Sequence, residues 1–284
     1  MAILSDKDRE ILLVSYGRLT KWLFSISIIH FVAFLVFLVF TAIYSSGVMN
    51  LKVMGELPMY IQNLSGYAYY ATTPISTVQT GVVCMFMFFF SAVGLLYTSS
   101  IYSDTLIIKR KQSSEGVDLN KYDVIPTSFY AMSMALAVIL MSLAVKQNQI
   151  EFLIPAFMSQ LLFVASLQNN GKGMVSVSFL ASIFIVIFGL FPSFVFINNY
   201  GVLVNSDLYA GIIPASYSGF VIGWLVIYYA FALCIFLSNI KGIFYPYIMN
   251  IVLSLVSTVF NIYTAVFFFT LANTTNFFKE TIPA

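Results

Sequence analysis

Seven long apolar segments constrain the fold of this chain more than any other feature. We number them span one to span seven, at about residues 22–44, 76–98, 124–145, 150–168, 174–198, 214–238 and 246–272. Each is close to the roughly 20 residues that an α-helix needs to cross the core of a bilayer. The runs are continuous, without the alternation of a barrel strand, and helices satisfy their own backbone groups in lipid. The sequence therefore predicts an all-α bundle of seven transmembrane helices.

The composition excludes a soluble globular protein. The chain is 60% hydrophobic and only 8% charged, so its first partner is the lipid bilayer. The net charge of +2 argues against nucleic acid as a partner. No boundary or internal repeat divides the chain, so residues 1–284 are predicted to form one integral membrane domain.

The positive charges predict the orientation of the bundle. Most of the 13 lysines and arginines lie before span one or in the even-numbered loops. These are Lys7, Arg9, Arg18, Lys21, Lys109, Arg110, Lys111, Lys121, Lys172 and Lys241. Only Lys52, Lys146 and Lys279 lie on the other side. The positive-inside rule then predicts a cytoplasmic N-terminus and an exterior C-terminus, the reverse of most familiar seven-helix receptors.

Three segments outside the spans carry further expectations. Residues 1–21 are either a short helix on the inner membrane surface, capped by Ser5–Asp8, or a flexible tail. Loop one, about 45–75, has alternation that permits a short external β-hairpin, and its tyrosines also suit an interfacial aromatic belt. Loop two, about 101–123, is predicted to be solvent-facing. Two glycosylation sequons, at Asn63 and Asn273, fall on the predicted exterior.

Few residues can carry catalytic chemistry. The two cysteines, Cys84 and Cys234, lie inside spans and are predicted to be packing residues, without a disulfide. His30 is the only histidine, and no metal-ligand set or acid–base pair can be assembled. An enzyme is therefore not expected. His30 is either a hydrogen-bonded histidine between helices or part of a polar cavity or proton path. Asp123 most simply caps span three.

Span seven carries a polar stripe. Its members recur at intervals of three and four residues, which aligns them on one helical face that should avoid lipid. They are Asn250, Ser254, Ser257, Thr258, Asn261 and Thr264. The stripe predicts either hydrogen bonds that hold helices together or the wall of a polar pocket.

Span six carries a seam of small residues at a spacing of four, namely Ala215, Gly219 and Gly223. Small side chains let two helices approach closely. The seam suits packing within the bundle and packing in a homodimer equally well.

The chain resembles the heliorhodopsins. The inverted topology, the long first external loop and the run Ile251–Val256 in span seven are similar to that family. Further matching positions are scattered along the chain, and those in span six are the more specific. They are Arg18, Leu167, Gln168, Pro214, Phe220, Val221, Gly223, Phe231, Ala232 and Leu233. The resemblance implies a microbial-rhodopsin-like plan and a dimer.

The chain departs from the family at one position. The resemblance implies that the run in span seven ends in the lysine that forms a Schiff base with retinal, but Thr258 stands there. A hydroxyl cannot form an imine, because the reaction needs a nucleophilic amine. No lysine lies within a span, and Lys241 is about 25 Å of helix from Thr258. Covalent retinal is therefore not expected, while the missing lysine side chain leaves room for a noncovalent retinoid or lipid.

The same resemblance implies a carboxylate counterion at the start of span three. It corresponds to Asp123 within one residue, and Tyr122 and Val124 fit the alignment almost as well. The family's histidine in helix one corresponds to His30 when a gap is allowed.

Three functions follow from the sequence. The first is a heliorhodopsin-like sensory, regulatory or partner-binding scaffold without covalent retinal, whose protein partner the sequence does not name. The second is an ion or proton channel or a transporter that uses the polar stripe, although such pathways usually contain ionisable residues. The third is a structural membrane component of a virion or organelle.

Overall fold

In the computed structural model of this chain, the described residues include six long helices and one β-hairpin. The structure describes residues 6–43, 50–60, 68–111, 124–144, 150–165, 193–195, 197–198, 200–202, 204–205, 215–239 and 246–274. The helices, in chain order, are α1 (Asp6–Ile43), α2 (Thr80–Lys111), α3 (Val124–Ala144), α4 (Ile150–Ala165), α5 (Ala215–Asn239) and α6 (Pro246–Thr274). The strands are β1 (Asn50–Tyr60) and β2 (Ala68–Gln79).

Two stretches of the described chain are long and apolar enough to cross a membrane, Gly17–Ile43 in α1 and Thr80–Ile101 in α2. Much of α1 leaves large apolar side chains uncovered, including Phe31, Val39 and Ile43, which is 67% exposed. Soluble proteins rarely expose a continuous surface of this kind, because water solvates it poorly. The helical fold and the membrane association expected from the sequence are therefore both supported.

Four helices begin and end close to predicted spans. The helices α3, α4, α5 and α6 correspond to spans three, four, six and seven within three residues at each end. Apolar runs of this length stop where polar or turn-forming residues begin, so the ends of the helices are visible in the sequence. Span five lies largely outside the described residues. Residues 200–202 and 204 are helical, so helical structure also occurs after the predicted end of that span at 198.

Three predicted boundaries were wrong. The α1 helix runs from Asp6 without interruption, so residues 6–21 do not form a separate short helix. The α2 helix begins at Thr80 rather than 76, because residues 76–79 belong to β2. It also continues to Lys111, through a part of the chain predicted as loop two. A helix that extends beyond its apolar run leaves no mark in a hydropathy pattern.

The first long connection contains the hairpin that its alternation permits. The strands β1 and β2 are antiparallel and pair from Asn50 with Gln79 to Tyr60 with Ala68. The register shifts after Val53, next to Pro74 on the other strand. Proline cannot donate to the ladder and is tolerated at such irregularities. At 11 and 12 residues, the strands are longer than the short hairpin predicted.

Helix α6 holds a central position in the described part of the chain. The helices α1 to α4 pack as consecutive neighbours, and α6 contacts α1, α2, α3 and α5. The buried core between them contains Phe88, Met141, Trp224 and Phe260. Polar side chains on α6 therefore meet several other helices at once.

Candidate functional site

The polar stripe of α6 faces the interior of the bundle, as its spacing predicts. Ser254, Ser257, Thr258, Asn261 and Thr264 are all buried. The apolar residues between them, such as Val259 and Ile262, are exposed. The side chain of Asn250 lies outside the described residues. The stripe is the candidate site, because it gathers polar groups where the helices meet.

Three hydroxyl groups of the stripe bond in the same way. Each donates its proton to a carbonyl one turn earlier in α6: Ser254 to Ile251, Thr258 to Ser254 and Thr264 to Phe260, over 2.6–2.8 Å. The hydroxyl oxygen then has lone pairs left for a donor on another helix. Such a hydroxyl acts as an acceptor for nitrogen donors.

Each of these three oxygens meets one N–H donor. The indole of Trp22 in α1 donates to Ser254 over 3.1 Å. The indole of Trp224 in α5 donates to Thr264 over 3.0 Å. The Nε2 atom of His30 in α1 lies 2.9 Å from Oγ1 of Thr258. Because the Thr258 proton is already donated to Ser254, the His30 contact is best assigned as Nε2–H donating to the hydroxyl.

His30 is completely buried and sits where α1, α2 and α6 meet. Its ring packs edge-on against Phe88 of α2, with ring centroids 5.6 Å apart. Of the two interpretations from the sequence, the hydrogen-bonded histidine between helices describes these contacts.

A fourth hydroxyl extends the network to α3 and α2. The amide nitrogen of Asn261 donates to Ser133 over 3.0 Å, and Ser133 donates to the carbonyl of Met87 over 2.9 Å. One residue of α6 is thereby connected through α3 to the backbone of α2. Buried polar groups between membrane helices usually act as such interhelical contacts.

An aromatic cluster fills the space beside the stripe. Trp224 stacks on Tyr228 with ring centroids 5.2 Å apart and planes 9° apart. Phe260 of α6 lies 5.2 Å from Trp224. Gln160 of α4 donates from Nε2 to the Tyr228 hydroxyl over 2.9 Å. Side chains of α4, α5 and α6 are therefore packed directly on one another here.

The sequence did not single out three partners of the stripe, Trp22, Ser133 and Trp224, or Gln160, which bonds to Tyr228 beside it. A signal existed for the two tryptophans, since an indole N–H within an apolar span needs an acceptor. The seryl and glutaminyl side chains within apolar spans carry a similar signal, because lipid offers them no partner. Which helix supplies the partner depends on packing, which spacing alone does not give.

The described interior is polar but uncharged. No side chain that the structure describes is a carboxylate, and the described residues contain no cluster of three potential metal ligands. Cys84 is a free, buried thiol, as expected of a packing residue. The chemistry available at Thr258 is hydrogen bonding by a hydroxyl.

Several predicted site residues lie wholly or partly outside the described part of the chain. Asp123, Asn63 and the matching pair at 167–168 lie outside the described residues. Asn273 is in the last turn of α6. The side chains of Asn273, Ala215 and Cys234 lie outside the described part.

The small-residue seam of α5 divides into two environments. A Cβ atom added to Gly223 would overlap the hydroxyl of Tyr263 in α6. The same addition at Gly219 meets nothing within 4 Å, and Gly219 is exposed. Gly223 therefore serves close packing inside the chain, whereas Gly219 lies on an open surface.

We expect Gly223→Ala to lower the stability of the protein and Gly219→Ala to leave it nearly unchanged. The added methyl group must displace Tyr263, whose hydroxyl donates to the carbonyl of Phe220 over 3.1 Å. Overpacking of this kind typically costs about 1–3 kcal/mol. The measurement is thermal unfolding of the detergent-purified protein, followed by circular dichroism.

Tyr263→Phe should recover part of that loss when it is combined with Gly223→Ala, because it removes the nearest atom of the overlap. If Gly219→Ala destabilised the protein as much as Gly223→Ala, the assignment of Gly223 to the internal contact would be wrong.

Comparison with known proteins adds no relative, since no family model and no curated protein matches this chain.

Proposed function

We propose that this chain is a heliorhodopsin-like integral membrane protein that has no covalent chromophore and acts as a sensory, regulatory or partner-binding scaffold. The observation that supports it most directly is the environment of Thr258. This residue occupies the position that the family resemblance assigns to the retinal lysine, and it is buried and hydrogen-bonded to His30. The position is thus an interior contact between α1 and α6. The proposed role is non-enzymatic.

The proposed topology is seven membrane-spanning helices with a cytoplasmic N-terminus. The apolar spans and the distribution of lysine and arginine support it. The bounds of α3 to α6 are compatible with it, since each helix coincides with one apolar run. The contacts of α6 with α1, α2, α3 and α5 suit a closed bundle with the last helix at its centre.

A scaffold agrees with the stripe better than a channel does. An aqueous path needs polar groups that are free to exchange partners with ions or water. Here Ser254, Thr258 and Thr264 each donate to their own helix and each accept from a donor on another helix. A hydroxyl group that already donates one hydrogen bond and accepts another is not free to bind a passing ion or water. It stabilises one arrangement of the helices instead.

We also propose that the protein forms a homodimer. A noncovalent ligand in the interior is compatible with the proposed function. The exposed surface around Gly219 supports the dimer, because a small residue lets a second copy approach closely. A retinoid or lipid in the interior would have to fit beside the stacked rings of Trp224, Tyr228 and Phe260.

Purified protein incubated with all-trans retinal should give no red-shifted visible band, because Thr258 cannot form an imine. The measurement is an absorption spectrum before and after hydroxylamine. Borohydride reduction and peptide mapping then identify any lysine that carries retinal, which separates adducts on exposed lysines such as Lys21 from an interior pigment. A hydroxylamine-sensitive visible band, with retinal trapped on an interior residue, would overturn the proposal.

A further inference from the structure

Two buried polar atoms on facing helices have no hydrogen-bond partner among the described residues. They are Nδ1 of His30 in α1 and Oγ of Ser91 in α2, and both residues are completely buried. An unpaired polar atom in a protein interior is unfavourable, because it has lost its bonds to water. The His30 ring itself packs on Phe88 of α2, the helix that carries Ser91.

The His30 atom needs a donor. The hydroxyl of Thr258 gives its proton to the carbonyl of Ser254, so it accepts from Nε2–H of His30. A neutral imidazole with its proton on Nε2 has a lone pair on Nδ1. The unpartnered nitrogen is therefore an acceptor.

The Ser91 atom can supply a proton. A serine within a helix usually donates to the carbonyl four residues earlier, which here is Met87. That carbonyl already accepts the backbone N–H of the helix and, over 2.9 Å, the hydroxyl of Ser133. The occupied carbonyl explains why the Ser91 hydroxyl makes no bond within its own helix.

Neighbouring contacts bring the two side chains to the same level of the bundle. Ser27 of α1 donates to the carbonyl of Ala92 over 2.9 Å, and the His30 ring packs on Phe88. From these pairings and a rise of 1.5 Å per residue, His30 and Ser91 are about 3–4.5 Å apart along the helix axes. On the helical wheel, Ser91 falls between Met87, whose carbonyl accepts the hydroxyl of Ser133 in α3, and Phe88, whose ring packs on His30.

We propose that His30 Nδ1 and Ser91 Oγ form a buried binding site for one water molecule. The water donates to Nδ1 and accepts the proton of the Ser91 hydroxyl, so both buried atoms are satisfied. A direct bond between the two side chains is the alternative, which the experiment distinguishes. With the water in place, one hydrogen-bonded chain runs from Ser91 in α2 through His30 in α1 to Thr258 in α6. The site couples three helices through a single imidazole.

The single histidine makes a direct test feasible. The full chain, with ¹⁵N-labelled histidine and reconstituted in phosphatidylcholine bilayers, gives one pair of ring-nitrogen signals in solid-state NMR. We expect Nε2 to be protonated, and Nδ1 to be unprotonated, hydrogen-bonded and in magnetisation-transfer contact with water. Ser91→Ala should abolish the water contact, because the water loses its protein donor. Ser27→Ala, one turn away in the same interface, should retain it.

The wild-type spectrum alone can overturn the proposal, so the test does not depend on the folding of a variant. A proton on Nδ1 would refute the assigned tautomer. An Nδ1 signal typical of a nitrogen without a hydrogen bond would refute the site. A hydrogen-bonded Nδ1 without water contact would mean that Ser91 bonds to His30 directly, which also excludes the water.

Discussion

Thr258→Lys is expected to reduce the stability of the folded protein severely and to yield no pigment with retinal. Thr258 is only 9% exposed, and its oxygen accepts a hydrogen bond from His30. An ammonium group has three donors and no acceptor, so it would face another donor. In the proposed membrane bundle, a lysine at the centre of a spanning helix costs about 2.5–3.5 kcal/mol on insertion scales, even before the lost hydrogen bonds are counted.

Two variants at the same position separate charge from hydrogen bonding. Thr258→Ser keeps a hydroxyl and should be nearly neutral. Thr258→Val keeps the shape but leaves Nε2–H of His30 without its acceptor, which should cost about 1–3 kcal/mol. The measurement is the free energy of unfolding in mixed detergent micelles, obtained for all three variants and the wild type.

An unchanged stability of Thr258→Lys would bear on whether Asp123 lies close to residue 258. If Thr258→Lys were as stable as the wild type, the lysine would either be neutral or meet an anion from outside the described residues, since no described side chain is a carboxylate. Asp123 is the residue to which the family resemblance assigns that role. A hydroxylamine-sensitive pigment in the same variant would mean that a retinal-shaped cavity persists despite the packed rings.

The polar stripe illustrates what spacing can predict. Intervals of three and four residues place side chains on one helical face whatever surrounds them, so the burial of Ser254, Thr258 and Asn261 was predictable. Their partners were not. Whether Thr258 meets His30 or another residue depends on the relative height and rotation of α1 and α6, which are set by all the contacts between them.

The seam of small residues shows the same limit. Spacing identified Gly219 and Gly223 as equivalent, yet only Gly223 faces the ring of Tyr263. The distinction depends on the direction in which α5 and α6 cross, which the sequence does not specify.

The helix ends were predictable only where they coincide with the ends of apolar runs. The helices α3 to α6 end with their apolar runs, whereas polar extensions such as residues 101–111 of α2 have no hydropathy signal.

The second large effect is expected at Trp224. The chain has two tryptophans, and each donates its indole N–H to a hydroxyl of α6. They differ in packing, because Trp224 is 2% exposed whereas Trp22 is 37% exposed. Comparing the loss of stability on substitution of Trp22 and of Trp224 therefore separates the contribution of the hydrogen bond from that of the ring contacts.

Trp224→Ala should lower the free energy of unfolding by about 3–5 kcal/mol, because it opens a cavity against Tyr228 and Phe260. In the proposed membrane bundle, lipid would remove the hydrophobic driving force between helices, but the dispersion contacts of a stacked ring are lost in either environment. Trp22→Ala should cost about 1 kcal/mol, the usual value of one hydrogen bond. Each tryptophan→Phe variant should cost a similar amount, since it removes the N–H and keeps a ring.

Unfolding can be followed by fluorescence in the phenylalanine variants, since each retains one tryptophan. Trp22→Phe leaves only the buried Trp224, whose emission should shift to the red on unfolding more than that of Trp22 in Trp224→Phe. Equal losses for the two alanine variants would contradict a packed aromatic cluster at α4, α5 and α6. In that case the space beside Thr264 and Phe260 would be open enough to admit a ligand, and the noncovalent retinoid or lipid would become the better account of the interior.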